Sequence, residues 1–224
     1  MKTRVILLSL ACLLLAANPA SAETAASKAT DAAKRADYEK MPLADLVRRA
    51  RGGNSQAQFE LGSRFNYGRG VPKNVPEALV WLRRAGLAGQ RDAQRLLATK
   101  FFNGYDVTID QEEAFRWTQR LAEIGDVPGQ LTLGSMYANG EGVDRSLVRS
   151  YMWYDLAAAS AQNSAAGESL SLAQEAAEQR DRIGALLLPD EEREAQRLAS
   201  DWWLNKQGVR LQGKTAPTKA KSKR

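Results

Sequence analysis

Trp81, Trp117 and Trp153 stand 36 residues apart, twice over. The same step links Leu61, Leu97 and Leu133, then Phe65, Phe101 and Tyr137, then Gly68, Gly104 and Gly140. It also links Val71, Val107 and Val143, Gln58, Gln94 and Gln130, and Ala78, Ala114 and Ser150. One period shared by so many residue types makes this region an array. Each unit is a small element that cannot bury its apolar face alone, so neighbours must stack.

Within a unit, Ala57, Leu61 and Phe65 recur every four residues and give one apolar stripe on a first helix. Gly62 and Gly134, with Ala98 between them, put a small residue where another backbone can come close. Gly68-Arg69-Gly70-Val71 and its copy Gly140-Glu141-Gly142-Val143 then end the helix in a tight turn that needs positive φ. The middle copy reads Gly104-Tyr105-Asp106-Val107, and Asp is among the few residues that tolerate that conformation. A second helix opens at Asn74-x-x-Glu77 and Asp110-x-x-Glu113, the pattern of a capping box. Ser146 can cap the third copy, although Arg149 replaces the acid. Ala78, Trp81 and Ala85 form the buried stripe of that second helix. Helix–turn–helix, repeated, predicts an all-α fold: an α/α solenoid of about three 36-residue repeats.

The pattern Ala-Gln-x-x-Leu-Gly-x-x-Phe/Tyr-x-x-Gly-x-Gly-Val, followed by Ala-x-x-Trp, resembles the Sel1-like repeat, a relative of the tetratricopeptide repeat. The resemblance covers about residues 54–160. It implies a binding scaffold or adaptor for another protein or peptide, in envelope regulation or assembly. By analogy with the tetratricopeptide fold, first-helix positions off the core stripe line a concave binding surface. Carried onto matching positions, these are Phe59, Ser63, Asn66 and Tyr67 in the first unit and Arg95, Thr99, Phe102 and Asn103 in the second. The third unit supplies Leu131, Ser135 and Asn139.

Both ends read as caps. Leu43, Leu46, Val47 and Ala50 resemble a lone second helix, so the repeats with their leading cap occupy 41–160. Leu172, Ala176, Ile183 and Leu187 indicate one C-terminal helix. Pro189-Asp190-Glu191-Glu192 starts another, whose face carries Ala195, Leu198, Ala199 and Trp202. These capping helices take 161–205, and a Leu-Pro-Asp/Glu helix of this kind also accords with the resemblance.

Residues 1–22 read as a secretory signal. Lys2 and Arg4 precede an apolar run from Val5 to Ala17, and Ala20-Ser21-Ala22 offers a cleavage site before Glu23. The single Cys12 lies inside the apolar run, with Ser9 where a lipobox carries Leu. The mature chain is expected in the periplasm, or secreted, without a thiol or a transmembrane segment. A loose segment at 23–40 would precede the fold.

Charge divides unevenly. The chain has 32 Lys and Arg against 26 Asp and Glu, but residues 205–224 hold seven of the bases and no acid. The body between signal and tail is slightly acidic, so no nucleic-acid partner is indicated. The tail, 206–224, is expected to be disordered and to make at most a weak, salt-sensitive contact with anionic surfaces. Its Gly208-to-Thr215 stretch matches G-x-x-x-x-G-K-[ST], yet no strand precedes it and Ala216-Pro217 follows, so it is no phosphate loop.

The sequence contains no His. That excludes Ser-His-Asp and Cys-His machinery and His-ligated metals. No Ser-x-x-Lys occurs either. Neither enzyme activity, cofactor nor metal site is expected. An alternative is a wall hydrolase working with carboxylates alone, among Asp106, Asp110, Glu112 and Glu113. Another is a polysaccharide binder using exposed aromatics such as Tyr67, Phe102 and Tyr105.

Overall fold

A computed structural model of the chain describes residues 36–162 and 167–208. The expected signal (1–22), residues 23–35 and the expected basic tail from 209 onward lie outside the described residues. Met1–Lys40 and Met41–Arg224 form two separate units. Of the first, only the helical run 36–40 is described; the rest concerns the second.

The second unit is all-helical among the described residues. The order is α1 (Leu43–Arg51), α2 (Ser55–Tyr67), α3 (Val75–Leu87), α4 (Arg91–Asn103) and α5 (Gln111–Glu123). There follow α6 (Val127–Asn139), α7 (Leu147–Gln162), α8 (Gly167–Gly184) and α9 (Pro189–Lys206). Each helix from α1 to α7 packs on the next in sequence, α9 packs back on α7, and the pairs α2/α3, α4/α5 and α6/α7 are the three repeats. The stack of consecutive pairs is an α-solenoid.

The three Trp residues are buried at equivalent places in the stack. Trp117 reaches back to the preceding pair, where a Cβ on Gly86 would come within 2.7 Å of its ring. Glycines close the pairs internally as well. A Cβ on Gly62 would stand 2.8 Å from Leu82 Cγ, and one on Gly134 would stand 2.9 Å from the Tyr154 ring. At the turns, Gly68, Gly104 and Gly140 adopt φ of 70°, 72° and 76°. Two residues on, Gly70, Asp106 and Gly142 take φ of 70°, 58° and 70°. Asp106 adopts the glycine conformation and uses its carboxylate to bind Lys73 Nζ of the preceding turn at 2.8 Å.

The second helices are capped as expected by Asn74, Asp110 and Ser146, which accept from the amides of Glu77, Glu113 and Arg149. The capping boxes do not close. The N-cap amides of Asn74, Asp110 and Ser146 already donate to the carbonyls of Phe65, Phe101 and Tyr137. Glu77 and Glu113 instead accept from the indole N–H of Trp81 (2.7 Å) and Trp117 (3.1 Å). Arg149, in place of the acid, lies over the Tyr137 ring at 5.5 Å.

A ladder of amides ties the pairs together. Gln58, Gln94 and Gln130 are buried, and each Nε2 donates to a carbonyl near the end of the preceding second helix: Ala50 (3.0 Å), Gly86 (2.8 Å) and Ala122 (3.3 Å). Each of those carbonyls also accepts from a turn glycine amide, that of Gly53, Gly89 or Gly125, and the Gln side chain supplies a second donor from the next pair.

The C-terminal helices close the array. The α8 residues Leu172, Ala176 and Ile183 pack with Leu131, Tyr154, Ala157 and Ala158. Leu187 lies past the end of α8, which stops at Gly184. Ala199, Leu198 and Trp202 of α9 pack on α7, and Trp202 meets Trp153 edge-on at 5.7 Å. In the first two repeats Arg84 and Arg120 lie over the corresponding Trp rings at 4.8 and 5.7 Å. Leu156 stands at that position in the third, and the α9 indole takes over.

Candidate functional site

The residues proposed from sequence to line a binding face separate into four groups. Asn66 (3% exposed), Ser63 and Leu131 are buried. Their burial corrects the expectation that these three positions line a concave surface. On α2, Glu60 binds Arg64 (3.1 Å) and Arg69 (3.5 Å), and Arg69 also donates to Ser63 Oγ (2.8 Å), folding over that hydroxyl. Leu131 is covered by the cap helix α8. Phe59 is half-buried and packs on the core shared by α3, α4 and α5. Ser135 is half-buried and hydrogen-bonded to the Tyr154 hydroxyl, whose pKa burial pushes above the usual phenol value. Tyr67 and Asn139 are exposed at the ends of α2 and α6.

The remaining four meet in one groove. Arg95, Thr99, Phe102 and Asn103 of α4 form one wall, and Pro128 and Thr132 of α6 form the other. Ala98, Thr118, Leu121 and Gly129 floor a space of about 400 Å³. The volume has a local cause. Phe59 and Leu131, 36 residues either side of Arg95, pack into apolar clusters. Arg95 instead leaves the seam to bind Asp126 at 2.8 Å and Asp92 at 3.6 Å. Gly129 and Thr132 add little bulk on the facing helix.

Polar groups in the groove are largely held by their own helices. Thr132 Oγ1 donates to the Pro128 carbonyl (2.9 Å), and the Asn103 amide donates to the Thr99 carbonyl (3.1 Å). Buried Asp126 accepts from Arg95 and from the Gly129 amide at 3.0 Å, capping α6. The groove therefore offers an apolar floor with a fixed polar rim, suited to an apolar side chain on a peptide. Pro128, in the first turn of α6, and Thr132, one residue past Leu131, were missed from sequence because neither falls at a carried-over position. Asp126 was read as neither cap nor wall.

The carboxylates of the hydrolase alternative are spent on structure. Asp110 caps α5, and Glu112 binds Arg116 at 2.9 Å. Glu113 takes Trp117, Arg83 (3.3 Å) and Arg116 (3.1 Å). The ammonium of Lys73 beside Asp106 holds its carboxyl below the usual range. Asp110, Glu112 and Asp144 do line an open cleft of about 1120 Å³ between the second and third turns. No group of three or more potential metal-ligating side chains occurs among the described residues. Of the aromatics proposed for polysaccharide, Phe102 lines the α4–α6 groove, while Tyr67 and Tyr105 do not.

The Sel1 repeat family model matches residues 55–90, 91–126 and 127–161, in register with the α2/α3, α4/α5 and α6/α7 pairs. No curated protein matches the chain. Among solved structures, a Sel1 repeat protein from Oxalobacter formigenes is 35% identical, with a TM-score of 0.50. The match covers 59% of this chain and 97% of that one. A second is c5321, a protective antigen of uropathogenic Escherichia coli strains displaying an SLR fold. It is 22% identical with a TM-score of 0.48, over 76% of this chain and 44% of that one. Three matched repeats in register with three helix pairs, and a relative aligned over nearly its whole length, make this chain a member of the Sel1 repeat family.

Proposed function

We propose that this protein is an adaptor that captures a peptide segment of a partner protein in the groove between α4 and α6. Sel1 repeat folds are generally protein–protein interaction scaffolds and are typically non-enzymatic. One observation carries the specific reading. Arg95 withdraws to Asp126 at the position where Phe59 and Leu131 fill their seams, and leaves an apolar-floored space of about 400 Å³. A groove built from rigid helices, with its polar groups already satisfied, favours one bulky apolar anchor from a partner.

The adaptor is placed outside the cytoplasm, in the cell envelope, on the strength of the sequence of residues 1–22. The basic tail adds a weak electrostatic contact with anionic surfaces. No described helix is long and apolar enough to cross a membrane. The binding reading is tested by filling the groove. Thr99→Trp should abolish partner capture while helical content and melting stay near wild type. The amide changes Glu112→Gln and Glu113→Gln should leave capture intact. Loss of cellular function in the amide variants at normal abundance, with Thr99→Trp active, would overturn the adaptor in favour of a carboxylate enzyme.

A further inference from the structure

The stacking of antiparallel pairs brings the C-terminal ends of α1, α3 and α5 to one edge of the body, beside the starts of α2, α4 and α6. Contacts run along this edge from pair to pair. Gln90 Nε2 donates to Gln56 Oε1 at 3.2 Å, and Asp126 accepts from Arg95 at 2.8 Å. Lys206, near the end of α9, occupies the space that a Cβ on Gly125 would take. The edge is strongly basic: Arg49 and Arg51 end α1, Arg84 and Arg120 stand in the last turns of α3 and α5, and Arg91 opens α4. Lys206 completes the row, its pKa lowered by burial and then by the nearby Arg91 charge. Arg84 and Arg120 are exposed and lie over the Trp81 and Trp117 rings. Three acids face the same edge: Asp92, bound to Arg95; Asp126, bound to Arg95 and to Arg91 at 3.7 Å; and Glu123, which accepts from Gln119. Bases stay in excess.

Bases near helix C-termini offset the helix dipole, and that alone would explain one per helix. It does not explain the apolar residues between them. Leu87, the last residue of α3, is 62% exposed, and Ile124, the C-cap of α5, is 41% exposed. Two protruding aliphatic side chains at successive loops, flanked by cations, are the chemistry of an interfacial membrane contact. Cations meet anionic headgroups and aliphatic tips enter the acyl boundary. A soluble polyanion would use the cations and gain nothing from Leu87 or Ile124. We infer that this edge docks on the surface of an anionic lipid bilayer, through Leu87 and Ile124 set among Arg49, Arg51, Arg84, Arg120 and Lys206. The surface adjoins the α4–α6 groove at Arg95 and Asp126. Docked there, the protein would hold its groove at the membrane face.

The test uses the full chain and flotation with vesicles of phosphatidylcholine containing about 30% phosphatidylglycerol, compared with phosphatidylcholine alone. Binding to the anionic vesicles only is expected. Each cation near such a surface is worth about five-fold in affinity, so Arg49→Gln with Arg51→Gln should weaken binding about 25-fold. Leu87→Ser with Ile124→Ser should weaken vesicle binding several-fold but leave binding to polyglutamate unchanged. Both double variants change exposed side chains, and unchanged melting confirms that they fold. A third variant, with Arg210, Lys214, Lys219, Lys221, Lys223 and Arg224 changed to Gln, separates tail from edge. It should retain vesicle binding that the edge variants lose. Edge variants that bind like wild type would overturn the inference. So would a Leu87→Ser, Ile124→Ser variant with undiminished vesicle binding, or a tail variant that alone abolishes it.

Discussion

Gly70, Asp106 and Gly142 hold the same place in the three turns and share a left-handed backbone, yet their surroundings differ enough to predict different costs. An Ala at any of them pays for positive φ, about 1–2 kcal/mol. At Gly70 that is the whole cost, because a Cβ there meets nothing within 4 Å. At Gly142 a Cβ would overlap the Gln111 carbonyl and stand 2.9 Å from the Glu112 nitrogen. Those atoms are helix backbone and cannot rotate away, so α5 or the third turn must shift. Overpacking of this kind adds about 1–3 kcal/mol. Gly70→Ala should therefore cost about 1–2 kcal/mol and Gly142→Ala about 2–5 kcal/mol, read as shifts in urea midpoint at constant slope. The natural Asp106 makes the contrast sharper: Gly70→Asp should be tolerated nearly as well as Ala, while Gly142→Asp should behave like Gly142→Ala or worse. Equal losses at the two sites would refute the argument that contact, rather than φ alone, fixes this glycine.

Trp117→Ala should cost about 3–5 kcal/mol through lost burial and a cavity against Gly86. That corresponds to a fall on the order of 10 °C in melting temperature, and an unchanged midpoint would contradict the buried Trp ladder. Asp106 titrates lower in the folded chain than its ordinary value. Its contribution to stability is therefore full above about pH 4 and lost as pH falls through the depressed value. Acid titration of stability should be shallower in Asp106→Asn, and superimposable curves would refute the Lys73–Asp106 link. The mature protein, by mass, should begin at Glu23, and a lipidated N-terminal Cys12 would overturn the export reading.

The fold was legible because a solenoid writes its contacts into its own period. Trp81, Trp117 and Trp153 announce one buried slot, and Asp106 among glycines marks a turn conformation rather than a broken motif. Spacing alone did not show where the acids Glu77 and Glu113 would aim, because the competing acceptor for the N-cap amide comes from the previous helix. The role of Gln58, Gln94 and Gln130 was hidden for the same reason: their partners lie in the preceding pair. Gln90 caps α4 with its side chain, a use that composition rules do not favour. The α4–α6 groove was half legible. The first-helix register placed Arg95, Thr99, Phe102 and Asn103 on one groove wall. The same register could not reveal that α8 would cover Leu131 or that Arg69 would close over Ser63, since both depend on residues outside the repeat position.

Site-specific photocrosslinking in the groove tests the central claim most directly. A photoreactive residue at Thr99 of the full chain, in cells, is compared with one at exposed Arg145 on the turn before α7. Competition comes from Thr132→Trp, which fills the facing wall. The account predicts a discrete protein adduct from position 99, its loss in the Thr132→Trp background, and none of that adduct from position 145. An adduct that forms equally from both positions, or persists with the groove filled, would contradict it.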